Sequence, residues 1–199
     1  MLGVREQKKK ETREAIKAAA VKLFSKKGFE QTSIEDIASE AGIGKTTVYG
    51  YFSTKDEIFS DYCVDEHTRL FSSIDLADFN GRPFLENLLT FFMVQLRFIT
   101  RDRELGRQLL RERNFPAQID LKVKENDQYY FKILNHLFAI AEEQGELKQG
   151  SDWEFLCYHF FSLYLGVLVG CYSGYLDTED DAESALRTLF QQVMMGIAK

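Results

Sequence analysis

Proline and cysteine are scarce in this chain of 199 residues, at two and three. So few proline breaks leave long helices uninterrupted. Alternating β-branched runs are also few, and the pattern points to an all-α protein. The cysteines, Cys63, Cys157 and Cys171, are odd in number and lack framework spacing. Cys157 and Cys171 are separated by roughly 21 Å along one expected helix, too far for a bridge. They read as buried free thiols in a reducing cytoplasm. The first ten residues, MLGVREQKKK, lack an apolar stretch, so no secretory signal is expected. Lys, Arg, Asp and Glu are missing altogether from Phe155 to Leu176, 22 residues in all. That length could cross a membrane, but both flanks are acidic and no Lys or Arg stands close to either end. Tyr158, His159, Tyr164, Tyr172 and Tyr175 also make the run more polar than a typical span. A helix buried all round in a soluble protein is the preferred reading.

What is present is a charge asymmetry and a motif. Residues 1–55 hold 11 Lys+Arg against 7 Asp+Glu, while the remainder carries 14 against 24, within a total of −6. A basic head on an acidic body suits a nucleic-acid binder; a chance asymmetry of solvated faces is the plain alternative. Within the head, Ile34, Ile37 and Ala38 recur as one face of a short helix. Thr32 and Glu35 have capping-box spacing, which starts that helix near Ser33. Ala41-Gly42 breaks it, and residues 44–50 form a second short helix held to the core by Val48 and Phe52. The pair is a helix-turn-helix whose second helix can enter a major groove. Gly44-Lys45-Thr46 also imitates the end of a phosphate-binding loop. That motif needs a glycine at Ser39 and a preceding strand, and is rejected.

The stretch Thr32-Ser33-Ile34-x-x-Ile37-Ala38, Ala41-Gly42-Ile43, Lys45-x-Thr47-Val48-Tyr49-x-Tyr51-Phe52 and Lys55 resembles the N-terminal signature of TetR/AcrR transcriptional regulators. The likeness in detail covers roughly the first 60 residues. It implies phosphate contacts by Tyr49, by Ser33 and by Lys55. From the residues themselves, Lys45, Thr46 and Thr47 lie where a recognition helix presents groups to base edges. The Tyr49 and Tyr51 hydroxyls suit phosphate oxygens, or else the rings are core aromatics with a surface hydroxyl. Two glycines depart from the family pattern. Gly44 replaces the usual Ser cap, and Gly50 replaces a side chain that often reaches DNA.

A disordered basic arm is expected over residues 1–10, with Lys8, Lys9 and Lys10 either touching phosphates or merely solvated. A helix should follow from Glu11 to Lys27, ended by Gly28. Thr54 and Glu57 should open a fourth helix, running to about Leu70 or Ser72. Residues 75–82 should be a loop, and Pro83 should occupy the first turn of an apolar fifth helix. Arg103, Arg107 and Arg111 share a helical face opposite Leu105, Leu109 and Leu110. That face is an anionic effector site or, preferably, a solvated one. A seventh helix is expected from about Pro116 to Gln144, with His136 beside its apolar face and no second His at zinc spacing. Ser151 and Glu154 should cap an eighth helix, and Thr178 a ninth. Ser162, Gly166, Gly170 and Gly174 recur every four residues and would let another helix approach closely.

The reading is therefore an all-α chain of about nine helices. A helix-turn-helix DNA-binding domain with its basic arm occupies residues 1–55, and an effector-binding and dimerisation domain occupies residues 56–199. It is expected to be a cytoplasmic homodimer that represses transcription at a palindromic operator and is released by a largely apolar small molecule. No cofactor, metal, membrane or catalytic residue is expected. The expected DNA contacts are Ser33, Lys45, Thr46, Thr47, Tyr49, Tyr51 and Lys55. Gln95, His136 and Tyr164 are the expected polar ligand contacts. Ser162, Gly166, Gly170, Gly174, Leu186, Phe190 and Val193 are expected at the dimer interface, through a four-helix bundle. The alternative is a ligand- or protein-binding module that has lost DNA binding. An enzyme is the remoter rival, because no nucleophile–base or carboxylate pair is brought together by local spacing.

Overall fold

The computed structural model describes residues 3–114, 121–148 and 152–197. Among them are nine α-helices, a 3₁₀ turn and no strand. The chain falls into two compact units. Met1–His67 with Asp102–Ile119 makes the first, and Thr68–Arg101 with Asp120–Lys199 the second.

The first unit contains α1 (Val4–Lys27), α2 (Ile34–Glu40), α3 (Lys45–Tyr49), most of α4 (Lys55–Ser72) and α6 (Arg103–Asn114). Ile16, Ala20, Phe24, Ile37, Val48, Phe52, Ile58 and Phe59 are its sealed core. The Phe24 ring lies 4.8 Å from Phe29 and 5.8 Å, edge-on, from Phe59. α1 starts well before the expected Glu11, at Val4, so most of the expected disordered arm is helix. Residues 4–10 are fully exposed and carry no apolar stripe, which is the signal that periodicity reads. They are nevertheless mostly Arg, Glu, Gln and Lys, which are good helix formers, and Gln7 donates to Glu11 one turn on at 3.0 Å. On α6, Arg103, Arg107 and Arg111 are exposed while Leu109 is buried, as their spacing predicts. The Phe115-Pro116 stop and the expected start of the seventh helix lie outside the described residues.

The second unit contains the 3₁₀ turn (Leu76–Phe79), α5 (Phe84–Thr100), α7 (Leu121–Glu143), α8 (Trp153–Ser173) and α9 (Glu179–Ile197). The turn falls within the expected 75–82 loop. Pro83 stands just before α5 rather than inside it, with its carbonyl accepting from the Asn87 N–H at 3.1 Å. The N–H of Phe84, free at a helix start, is satisfied by both carboxylate oxygens of Glu146 at 3.0 and 3.1 Å. α5 is central, with Phe84, Leu88, Phe91 and Phe92 sealed. Phe92 meets Tyr164 at 5.1 Å and Phe190 at 5.2 Å, and Phe160 meets Phe190 at 5.0 Å. Thr178 and Asp181 cap α9 reciprocally, as Thr178 predicts.

Two expectations for α8 are corrected. Its cap is Asp152, which accepts from the Phe155 N–H at 3.2 Å; Ser151 lies outside the described residues. Nor is α8 buried all round, since only 33% of its apolar window is buried. It is long and apolar enough to cross a membrane, yet Cys157, Phe160, Tyr164, Val167, Leu168 and Cys171 face the core while Phe155, Tyr158 and Val169 face outward. Burial pushes the Cys157 thiol up to about 11, with the charge of Glu154 adding.

Replacing Phe190, fully buried between two rings, by Ala should cost about 3–5 kcal/mol. Urea unfolding should register this as a lowered midpoint with little change in slope.

Candidate nucleic-acid interface and effector cleft

The turn geometry explains why α2 and α3 stand as they do. Ser33 is the N-cap of α2, and its hydroxyl oxygen accepts from the Asp36 N–H at 3.1 Å. The Ser33 N–H and hydroxyl both donate back to the Asp36 carboxylate, at 2.9 and 2.6 Å. The capping box is thus one residue later than the Thr32/Glu35 spacing suggests. Thr32 is buried, and its hydroxyl donates instead to the Gly28 carbonyl at 2.8 Å. Gly42 takes φ 67° in the turn, a region open to glycine without steric cost. Gly44 starts α3 with no side-chain cap, and Val48 and Phe52 bury the inner face as expected.

Lys45, Thr46, Thr47 and Tyr49 are all exposed on the outer side of α3. The Lys45 ammonium pairs with Glu35 of α2 and lies 5.7 Å from the Tyr49 ring centre. Tyr51 is half-buried. Lys55 points inward: its ammonium donates to the carbonyls of Phe29, Glu30 and Thr32 at 2.9, 3.3 and 3.3 Å and sits 4.5 Å over the Phe29 ring. It holds the α1–α2 connection against α4. Ser33 is likewise committed to its box.

Behind this surface stands a group that motif reading missed. Arg13 of α1 makes a bidentate pair with Asp61 of α4 at 3.0 and 2.8 Å. Its guanidinium also lies 4.2 Å from the Phe52 ring centre and donates to the Tyr51 carbonyl at 3.4 Å. Lys17, nearly buried, reaches Asp61 at 3.3 Å, Glu14 at 2.8 Å and also Asp65. The available signal was matched spacing: cations at 13 and 17 and carboxylates at 61 and 65 each recur at i, i+4. Burial alone would raise the Asp61 carboxyl, but the Arg13 hydrogen bonds and the charges of Arg13 and Lys17 outweigh it and hold it below its usual range.

The second unit has a cleft of about 480 Å³. Ile74, Phe79, Phe91 and Val94 give it apolar walls, and Ser73, Asp75, Asp78, Arg82 and Thr90 supply the polar groups. Arg82 donates to the Thr90 hydroxyl at 2.9 Å. The expected ligand contacts lie elsewhere. Gln95 is buried and donates to the Phe91 carbonyl at 3.2 Å, Tyr164 is sealed in the aromatic core, and His136 is half-buried on α7. The small residues of α8 divide. Ser162 and Gly166 are exposed, and a Cβ on Gly166 would meet nothing within 4 Å. A Cβ on Gly170 would meet Leu176 at 2.9 Å, and Gly174 ends the helix at φ 75°. Both therefore serve the chain's own fold. Leu186 and Phe190 are sealed in the core of the second unit, and Val193 is half-buried.

The model of bacterial regulatory proteins of the tetR family matches residues 16–62, which span this helix-turn-helix. The helix-turn-helix of this chain is that of the TetR family. The chain is 25% identical over 185 residues to YerO, an uncharacterized HTH-type transcriptional regulator of Bacillus subtilis strain 168, covering 88% of this chain and 61% of the relative. It therefore spans about three-fifths of that relative's length. It is also 25% identical over 137 residues to the fatty acid metabolism regulator protein of the same organism, covering 67% of this chain and 70% of that protein. Among solved structures, Thermus thermophilus FadR, a TetR-family transcriptional repressor in complex with lauroyl-CoA, matches with a TM-score of 0.67 at 24% identity. That match covers 89% of this chain and 93% of the other, and it establishes a shared fold.

The depressed Asp61 carboxyl stabilises the folded head above the unfolded carboxylate range, and the contribution fades as pH falls through and below about 4. Asp61→Asn should therefore cost about 2 kcal/mol at pH 7, and its deficit against the wild type should shrink as thermal unfolding is repeated at falling pH.

Proposed function

We propose that this chain is a cytoplasmic, homodimeric transcriptional repressor that binds a palindromic operator and leaves it when a small molecule binds the body. DNA reading is assigned to residues 1–55, and effector binding and dimerisation to residues 56–199. The observation that carries the reading is the recognition helix, anchored by Val48 and Phe52 with Lys45, Thr46, Thr47 and Tyr49 on its exposed side. Lys45 and the threonines are the base-edge readers, and Tyr49 the phosphate contact. Tyr51, Ser33 and Lys55 contribute chiefly by holding the helices in place, since Ser33 and Lys55 are already hydrogen-bonded within the head. No catalytic role is assigned to any residue.

The exposed apolar face of α8, with Phe155, Tyr158 and Val169 beside Ser162 and Gly166, supports a second copy of this chain as its cover. A two-fold pair would place two recognition helices on the two halves of a palindrome. The proposed effector site is the 480 Å³ cleft, whose apolar walls and polar groups suit an amphipathic molecule. A fatty acid regulator and a repressor bound to lauroyl-CoA among the similar proteins make acyl compounds the first class to assay. The effector would favour a dimer whose head spacing no longer fits DNA.

Fluorescence anisotropy with the DNA flanking this protein's own gene, against scrambled DNA, tests the reading. Specific binding should fall by about 10- to 100-fold on joint Lys45→Ala and Tyr49→Ala. Equal, weak affinity for both DNAs, together with no enriched sequence from a random pool, would count against a DNA-reading head. Phe155→Glu with Val169→Glu should shift sedimentation from dimer to monomer and remove operator binding. A persistent dimer would move the interface elsewhere.

A further inference from the structure

We propose that Glu35 is a specificity-determining residue, holding Lys45 of the recognition helix away from the DNA backbone unless a base edge takes its place. The proposal rests on the DNA-binding reading above and adds a residue to it. Glu35 lies in the first turn of α2 and Lys45 in the first turn of α3, and both are exposed. Their side chains pair directly, and the ammonium is also steered over the Tyr49 ring at 5.7 Å. The mutual hydrogen bond keeps the carboxyl below its ordinary range and the ammonium above. Asp36 beside it is occupied by Lys27 at 2.7 Å and by Ser33. That leaves Glu35 as the carboxylate committed to Lys45.

The consequence follows from how a head meets DNA of the wrong sequence. Such complexes are held by phosphate neutralisation, one counterion-releasing contact at a time. A free lysine at the start of the recognition helix would join in on any sequence. Paired with Glu35, Lys45 contributes no net charge there. At the operator, an acceptor such as guanine O6/N7 is presented at a fixed place in the groove. It competes for Lys45 by geometry, which a randomly phased phosphate does not. Removing the carboxylate should therefore help random DNA more than operator DNA. In random complexes the freed Lys45 gains a new phosphate contact, whereas in the operator complex it already has a partner.

The test is a cycle of Glu35→Gln and Lys45→Ala, singly and together, in the full-length chain. Binding is measured by anisotropy on random-sequence duplex and on the operator, or on the sequence best enriched from a random pool, across a salt series. Glu35→Gln should tighten binding to random duplex by about tenfold, with the log–log salt slope steeper by about 0.9 for each phosphate contact added. It should tighten operator binding less, so that the ratio of the two affinities falls. In the Lys45→Ala background most of the gain on random duplex should vanish. Thermal unfolding of each variant checks that the heads remain folded. An equal gain in both backgrounds would reduce Glu35 to a general repulsive charge and overturn the proposal, as would no gain at all. Failure of the wild-type protein to bind any duplex would instead overturn the DNA-binding reading itself.

Discussion

A helix of five residues cannot sustain itself in water. Nucleation fixes several dihedrals for its first hydrogen bond, and isolated helices become stable only at several times that length. α3 spans only Lys45–Tyr49 and has no side-chain cap, so its position is set by tertiary contacts. Val48 and Phe52 drive it into the core. Arg13 then closes it from behind, touching the Phe52 ring and the Tyr51 carbonyl while its guanidinium is fixed by Asp61. Because Asp61 belongs to α4, the end of the recognition helix and the start of α4 share one cation. A shift of α4 cannot leave the recognition helix untouched unless that pair breaks.

The polar groups around the motif divide along the same line. Ser33 and Lys55 are engaged with the head's own backbone and side chains. They set the α2 start and the α1–α2 connection at fixed positions. Thr46, Thr47 and Tyr49 stand exposed beside them. Lys45 sits between the two groups, exposed but paired with Glu35. A surface pair of this kind adds little stability. Its effect is to fix where the ammonium sits, beside Glu35 and near the Tyr49 ring.

Much of this was legible in the sequence, and the failures have physical causes. The helix-turn-helix was visible because Ile34, Ile37, Ala38, Val48 and Phe52 combine apolar spacing with a glycine turn, and each of these signals is local. The cap of α2 slipped by one residue because Thr32-Ser33 followed by Glu35-Asp36 offers two registers of the same box. The choice was made by the Gly28 carbonyl, which takes the Thr32 hydroxyl. The start of α1 was missed because a charged, fully exposed helical turn has propensity but no periodicity. Arg13–Asp61 and Lys45–Glu35 join different helices, and pairings of that kind appear only once the chain is folded. Gln95 and Tyr164 looked like ligand contacts because they are polar groups among apolar neighbours. The packing instead gives Gln95 the Phe91 carbonyl and seals Tyr164 among rings.

α8 shows how one pattern can carry two causes. Its small residues recur every fourth position, and periodicity alone assigns them one shared purpose. Gly170 is small because Leu176 folds back onto it, and Gly174 because the chain turns left-handed there. Only Ser162 and Gly166 lie on the open side, in the company of Phe155, Tyr158 and Val169. The same helix was apolar enough to resemble a membrane span because two different faces both avoid charge. One fills the core of the second unit, and the other is left uncovered by it. An uncharged run therefore measures how much of a helix avoids charge, not how much of it is buried. Leu186 and Phe190 on α9 make the converse point: the same apolarity that suggested an interface is already consumed inside the chain's own core.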